Sequence, residues 1–399
     1  MGTGKTADPM GLQNIEQILE TLPVIRDAAQ AVREILLGNL LMIGEIPAPT
    51  FAETRRARFI QDRFTESGLH NSSSDGRGNA LGILPGLEVD KNILLVAHMD
   101  TIFPPSVDHT LTVQSDQVSG PAVGDNALGL AAVITLPVLL ELLDIRLNSN
   151  LILMGSARSL GRGNLEGLHF FLSKTKIPIR AGICIEGLGL GRLSYQTIGM
   201  LRGEIVCTVP DEYDWTRFGA SGAIVTLNEV INRILEIPLP RRPRTTIVLG
   251  SVEGGHSFNT IATKAILRFE IRSESRQISS GIYQQIQDII ADITTHSGAE
   301  VALEIFARRR PGGIPFVHPL AKHSRSIMKR LNIESRKFPS TSELAAFIER
   351  DIPAITIGIT EGARQNQLDE TIMIEPIFTG LAQLIGILLC IDRGHCDEH

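Results

Sequence analysis

The residues in this sequence best placed to do chemistry follow apolar runs of strand length. The run Asn92–Ala97 ends in His98-Met-Asp100. Side chains alternate along a strand, so His98 and Asp100 point the same way. Ligands of open α/β sheets collect at the carboxyl ends of buried strands, and there a histidine beside a carboxylate suits a metal ligand with the group that orients it. A hydrogen-bonded pair closing a strand is the plainer alternative. A glycine-rich turn, Gly120-Pro-Ala-Val-Gly-Asp125-Asn-Ala-Leu-Gly129, leads into an apolar helix, where Asp125 could serve as an N-cap or as a free carboxylate. Glu186 follows the run Ile183-Cys-Ile, and a glutamate so placed needs a partner or a cation. One histidine and two carboxylates, each at a strand end, would make a three-ligand zinc site.

The elements that must position these groups alternate. From Ile15 to Gly68 the spacing is helical, broken at Pro47-Ala-Pro49, which predicts two helices. Strand-length runs follow at Ala80–Leu84, Asn92–Ala97, Leu151–Gly155 and Gly182–Ile185, with a helical stretch over Gly129–Asp144, as expected of a sheet covered on both faces. From about Arg202 the pattern changes. Strands at Glu204–Val209, Thr245–Leu249, Ala265–Arg272 and Glu300–Ala307, with helices at Gly219–Leu235 and Ser279–Ser297, predict a small α+β domain on an antiparallel sheet. Beyond Pro311 the alternation returns, with a helix over His318–Leu331, a strand over Ala354–Ile359 and a last helix from Ile377. The expected organisation is a discontinuous α/β domain, residues 1–200 and 311–399, interrupted by an inserted domain at 201–310.

Composition narrows the function classes. The 399 residues are 43% hydrophobic and 21% charged, which excludes disorder over most of the length. Lys plus Arg number 38 against 44 Asp plus Glu, a formal charge of -6, so no global positive field exists to hold nucleic acid or an anionic membrane. The four cysteines, Cys184, Cys207, Cys390 and Cys396, form no pair at metal-ligand spacing. No charged leader with an apolar segment opens the sequence, and the apolar stretches Ala127–Leu140 and Ile377–Ile391 fall short of the ~18 residues of a membrane helix. A cytoplasmic location, with neither nucleic acid nor membrane as partner, is the expectation.

The order of motifs resembles the aminoacylase and glutamate-carboxypeptidase family of two-zinc peptidases, which includes desuccinylases and acetylornithine deacetylases. The likeness runs from about residue 30 to 390. It rests on Ala97-His-Met-Asp100-Thr, Gly124-Asp-Asn126 with Gly129, Ile185-Glu-Gly187, Asn259-Thr-Ile261, Ile271-Arg-Ser273, Arg310-Pro311, Ser340-Thr341 and Leu368-Asp-Glu370. The resemblance implies a zinc-peptidase-like α/β sandwich domain with an inserted ferredoxin-like α+β domain serving as lid and dimerisation surface, hence a homodimer. It also implies His98 and Glu186 as ligands of one zinc, Asp125 as the ligand bridging to a second, Asp100 as the residue orienting His98, and Asn259 and Arg310 as substrate-gripping residues.

Other positions depart from the family. Where it has a Glu-Glu pair, general base then ligand, this chain reads Ala157-Arg158-Ser159-Leu160. Aligned through Gly163–Gly167 the pair becomes Ser159 and Leu160, and a one-residue shift gives Arg158 and Ser159. The terminal histidine ligand falls in Gln365-Asn366-Gln367, with Asn366 expected in its place. A histidine of the inserted domain is replaced by Tyr213, which is expected to bind substrate with Asn259 and Arg310, while His256 lies in a different loop and reads as a turn residue. A positioned base contributes roughly 10²- to 10⁴-fold in rate and an oxyanion-type donor about 10²- to 10³-fold. One zinc, or another divalent metal, is therefore expected and a second is not. Glu212 or Glu361 would be replacement bases, and Arg158 or Arg364 is expected to place a guanidinium against Asp125 where the second zinc would sit. Three functional readings follow: a pseudoenzyme retaining a small peptide-like or N-acyl amino-acid ligand, a one-zinc amide hydrolase, and a dimeric scaffold.

Overall fold

The computed structural model describes residues 14–210, 221–340 and 342–397. They form two units, one drawn from residues 1–196 and 313–399 and the other from 197–312.

The first unit is built on an eight-stranded mixed sheet in the order His70–Ser74, Ala80–Leu84, Ser149–Ser156, Glu88–His98, Ala181–Leu188, Ala354–Thr360, Arg192–Ser194, Arg336–Lys337. Ser149–Ser156, Glu88–His98, Ala181–Leu188 and Ala354–Thr360 are mutually parallel. These strands read as unbroken apolar runs because both faces are covered. Ile93 and Leu95 join one core, with Leu151, Leu153, Ile183 and Ile185, while Leu94, Val96, Ile152, Met154 and Cys184 join another. By the same alternation His98 and Glu186 project on the face of Leu94, Val96 and Cys184, beneath the short helix Leu344–Ile348. The opposite face is closed by the helices Leu128–Leu142 and Pro376–Asp392, whose residues are almost all buried, so the two apolar stretches of the sequence are core helices.

The last helix lies directly on its strand. A Cβ at Gly380 would stand 2.0 Å from the Ile359 carbonyl oxygen, and backbone cannot yield as a flexible side chain does. Gly380→Ala is expected to destabilise the protein by at least about 1–3 kcal/mol, read as a lowered thermal midpoint.

The N-terminal segment corrects one expectation. Three α-helices, Ile15–Ala28, Arg33–Gly44 and Thr54–Glu66, occur where two were expected, because a 3-10 turn at Ala29–Val32 bends the chain after the first. That turn is all Ala, Gln and Val, with no glycine or proline to mark it. The break comes from packing, since Ile25, Ala29, Val32 and Leu36 are all fully buried.

The second unit is a four-stranded antiparallel sheet in the order Thr245–Gly254, Lys264–Ser273, Gly199–Thr208, Glu300–Arg309. Its helices Ala223–Leu235 and Arg276–Ser297 pack on it through Leu227, Val230, Ile282, Ile286 and Ile290 against Ile205, Leu267, Phe269 and Ile271. The strand and helix order along the chain is the ferredoxin-like one.

Candidate metal centre

His98 ends the central strand, and its Nε2 lies 3.0 Å from Asp125 Oδ1 and 3.9 Å from Glu186 Oε2. A donor atom from each of the three residues falls within 4.8 Å of the other two. Donors about 2.0–2.1 Å from a tetrahedral ion stand roughly 3.3 Å apart, so the observed spacings bracket what a metal requires. An imidazole with two carboxylates also balances a dication. The residues fit a divalent metal.

The imidazole is aimed from behind. Nδ1 lies 3.0 Å from the Asp100 carbonyl oxygen, which can only accept, so Nδ1 carries the proton and Nε2 faces the two carboxylates. The Asp100 carboxylate orients His98 less directly than expected, with Oδ1 3.6 Å from Nδ1 and without a hydrogen bond of its own. Oδ2 accepts from Thr50 Oγ1 and the Leu160 amide. Buried Arg56 donates to the carbonyls of Met99 and Ile46, fixing the turn between His98 and Asp100, and burial pulls its pKa down to about 10.

Asp125 is not an N-cap. The helix begins at Leu128 with no side-chain cap, and the carboxylate turns toward His98. Two neighbours hold it there. Asn126 donates Nδ2 to the Ile185 carbonyl and accepts the Gly187 amide through Oδ1, clamping the Asp125 turn onto the strand that carries Glu186. A Cβ at Gly129 would stand 2.1 Å from that Oδ1, which explains the glycine. Glu370 accepts the Gly124 and Asp125 amides on Oε1 and the Asn366 amide on Oε2.

Electrostatics follows from this crowding. Burial is the largest influence on Glu186, and with Asp125 and Glu343 nearby it pushes the carboxyl up to about 7 against the attraction of His98 and Arg192. Burial alone would lower the His98 pKa, but its contacts with Asp100 and Asp125 outweigh this and raise it well above 6.5. Burial likewise works against charge on Asp125, yet His98, Gln365 and Arg192 together hold its pKa below the usual carboxylate range. Raised folded-state values mean that the contributions of Glu186 and His98 to metal-free stability are present at low pH; that of Glu186 is lost as pH rises through about 7, and that of His98 as pH rises through its own raised pKa. A metal must displace those same protons. Metal affinity is therefore expected to rise with pH across neutrality, by roughly tenfold per unit for each proton displaced, while the alkaline loss of stability disappears at saturating metal. Calorimetric zinc titrations and melting curves at several pH values check both.

The expected guanidinium substitutes are elsewhere. Arg158 pairs through Nη1 with Glu166 Oε2 at 3.0 Å and lies over the Phe51 ring, and Arg364 pairs with Asp369. Neither touches Asp125, because each has a carboxylate close in sequence, eight and five residues away. Among the described residues, Arg192 is an arginine whose charge, after that of His98, favours the ionised forms of Asp125 and Glu186. Ser159 is buried with Oγ 3.3 Å from Ser156 Oγ, and Leu160 offers its backbone amide to Asp100. Asn366, expected at the terminal-ligand position, engages Glu370 through its backbone. The side chain that arrives is its neighbour's, with Gln365 Nε2 donating to Asp125 Oδ2 at 2.8 Å. Glu361 is exposed, and Glu212 and Tyr213 lie outside the described residues. Asn259, Arg310 and His256 belong to the second unit, where exposed Asn259 accepts from Ser257 Oγ at 2.8 Å.

Sequence reasoning missed Gln365, Arg192, Arg56 and Glu343. Glu343 is 3% exposed, leaves Oε1 without a hydrogen-bond partner, and is close enough for its charge to raise the pKa values of His98 and Glu186. Its place just after Ser340-Thr341 was the available signal.

Comparison with known proteins fits this geometry. Residues 217–297 match the peptidase dimerisation domain of the M20 family. No curated protein matches the sequence. Among solved structures, a di-peptidase from Saccharomyces cerevisiae superposes with a TM-score of 0.77 at 12% identity, covering 93% of this chain and 98% of its own. A tripeptidase from Staphylococcus aureus gives 0.71 at 19% identity, covering 90% and 99%. A Bacillus subtilis protein described as a dinuclear metal-binding peptidase of the M20 family gives 0.64 at 14% identity, covering 91% and 99%. The chain thus has the M20 peptidase fold. Its antiparallel unit carries the dimerisation domain of that fold.

Proposed function

We propose that this protein binds one divalent metal through His98, Asp125 and Glu186 and uses the site to recognise a small peptide-like or N-acyl amino-acid ligand, without two-metal hydrolysis. The observation that carries this reading is the Gln365 amide on Asp125 Oδ2. A bridging carboxylate would offer that oxygen to a second ion, and here it receives an N–H donor, whose positive end repels a cation. The absence of any carboxylate at 158–160 points the same way. The peptidases sharing the fold are named for dipeptides and tripeptides, which supports the ligand class, and the matched dimerisation domain supports a homodimer. The cysteine content supports a cytoplasmic location.

When bound, the metal would act as a Lewis acid toward a ligand carbonyl or carboxylate. The chain's own residues hold the imidazole in one tautomer and keep the two carboxylates together. The test is calorimetric titration of the zinc-loaded protein with dipeptides and N-acetyl amino acids, with chromatography of the same samples. Saturable binding without product is expected, whereas sustained turnover or a complete lack of binding would refute the proposal.

A second reading rests on Glu343, whose unpartnered buried Oε1 is a carboxylate available as a general base for a one-metal amide hydrolase. Under that reading turnover is present and Glu343→Gln removes it by roughly 10²- to 10⁴-fold.

A further inference from the structure

A cavity of about 410 Å³ in the first unit lies at the start of the helix Thr54–Glu66, against the turn between the strands His70–Ser74 and Ala80–Leu84. Arg55, Arg58, Arg77 and Arg158 all line it. Four guanidinium groups around one cavity stand out in a chain whose formal charge is -6.

Two of them are fixed and two are free. Glu166 holds Arg77 through Oε1 at 2.9 Å and Arg158 through Oε2 at 3.0 Å, so a single carboxylate sets two guanidinium groups side by side. Each guanidinium has five N–H donors, and one ion-pair contact leaves most of them available. Arg55 and Arg58 are exposed and have no hydrogen-bond or ion-pair partner among the described residues. Counting Glu53, which also lines the cavity, and Glu166, the local excess is two positive charges. Burial raises the Glu53 pKa, which makes the negative side smaller still.

The walls are already in place. Glu53 Oε1 accepts the Phe51 and Arg158 amides at 3.1 and 2.8 Å, tying together two residues with left-handed backbone, φ 77° and 56°. The Phe51 ring, 55% exposed, is covered on one side by Arg158 at 5.6 Å. Forked donors around a space of small-molecule size, two of them held in place by Glu166, suit the oxygens of a phosphate group, and the aromatic rim suits an organic substituent. A cationic ligand would be repelled by this lining, and an uncharged one would leave the guanidinium groups unanswered.

We propose that this cavity is a binding site for a small phosphorylated compound, with the phosphate held by Arg55, Arg58 and the pair Arg77 and Arg158. The site shares no residue with the metal centre, so its test is independent of the function proposed above. Inorganic pyrophosphate and ADP are titrated into the full-length protein at constant ionic strength, alongside the double variant Arg55→Ala/Arg58→Ala. These two side chains are exposed and unpaired, so the variant is expected to keep the wild-type melting temperature, and Arg55→Lys/Arg58→Lys gives a second comparison that retains charge without the forks. The expected result is saturable binding of at least one probe, weakened roughly 10- to 100-fold for each guanidinium removed and only partly restored by lysine. Tighter binding of ADP than of pyrophosphate identifies an ester whose organic part lies on Phe51, and the reverse identifies free polyphosphate. No saturation of either probe by about 5 mM, a concentration far above any specific affinity, or equal binding by the double alanine variant, overturns the proposal.

Discussion

His98→Ala binds no zinc under conditions in which the unmodified chain binds one ion. The imidazole is the only nitrogen donor among the three residues that converge, and the other two are carboxylates that repel each other without a cation between them. Loss of a partner behind a ligand typically weakens metal affinity by roughly 10- to 100-fold, and loss of the ligand itself is expected to exceed that. Metal analysis after dialysis, with calorimetric titration of the same samples, reads the effect. The variant should stay folded, since a small side chain at the end of a strand leaves the ladder intact, and circular dichroism checks this. Unchanged zinc content would remove His98 from the site. Two ions bound tightly to the unmodified protein would overturn the single-metal reading.

Glu370→Ala is expected to destabilise the protein by about 3–5 kcal/mol. The Glu370 side chain is fully buried and accepts three backbone N–H groups, from Gly124, Asp125 and Asn366. Hydrogen bonds to a charged group contribute about 1.5–3 kcal/mol each, and removing the carboxylate strands all three donors. The loss is not additive, because the loops relax toward water. Those donors belong to the turn that presents Asp125 and the loop that presents Gln365, so zinc affinity should fall together with the thermal midpoint. Glu370→Gln keeps one acceptor oxygen and should lie between. A Glu370→Ala protein with the wild-type midpoint and zinc affinity would show that this carboxylate positions nothing.

The Glu370 case marks the boundary of what local sequence reading reaches. Leu368-Asp-Glu370 was visible as a motif, but its job depends on amides about 245 positions away. The same holds for Gln365. The family resemblance put Asn366 in the place of the terminal histidine ligand, but the side chain that meets Asp125 is that of Gln365, while Asn366 takes a left-handed φ of 65° and gives its amide to Glu370. The Arg158 expectation failed for a related reason. The need of Asp125 for a positive partner was real, but a guanidinium goes to the nearest carboxylate that backbone geometry permits, and for Arg158 that is Glu166, eight residues on.

The sequence by itself determined the layering and the places where chemistry could occur. Apolar runs without polar alternation specify strands buried on both faces, and polar groups at their ends have to face a site or a partner, which picked out His98 and Glu186 before any contact was known, while Asp125 was marked by the glycine-rich turn that opens an apolar helix. Only the tertiary structure decided who answers whom: the Asp100 carbonyl behind His98, Gln365 on Asp125, Glu370 under the turn, and four arginines around one cavity. Periodicity and burial are properties of consecutive residues and can be read in order. Hydrogen-bond partners and local charge balance depend on which segments meet, and segments more than two hundred residues apart meet only when the chain folds.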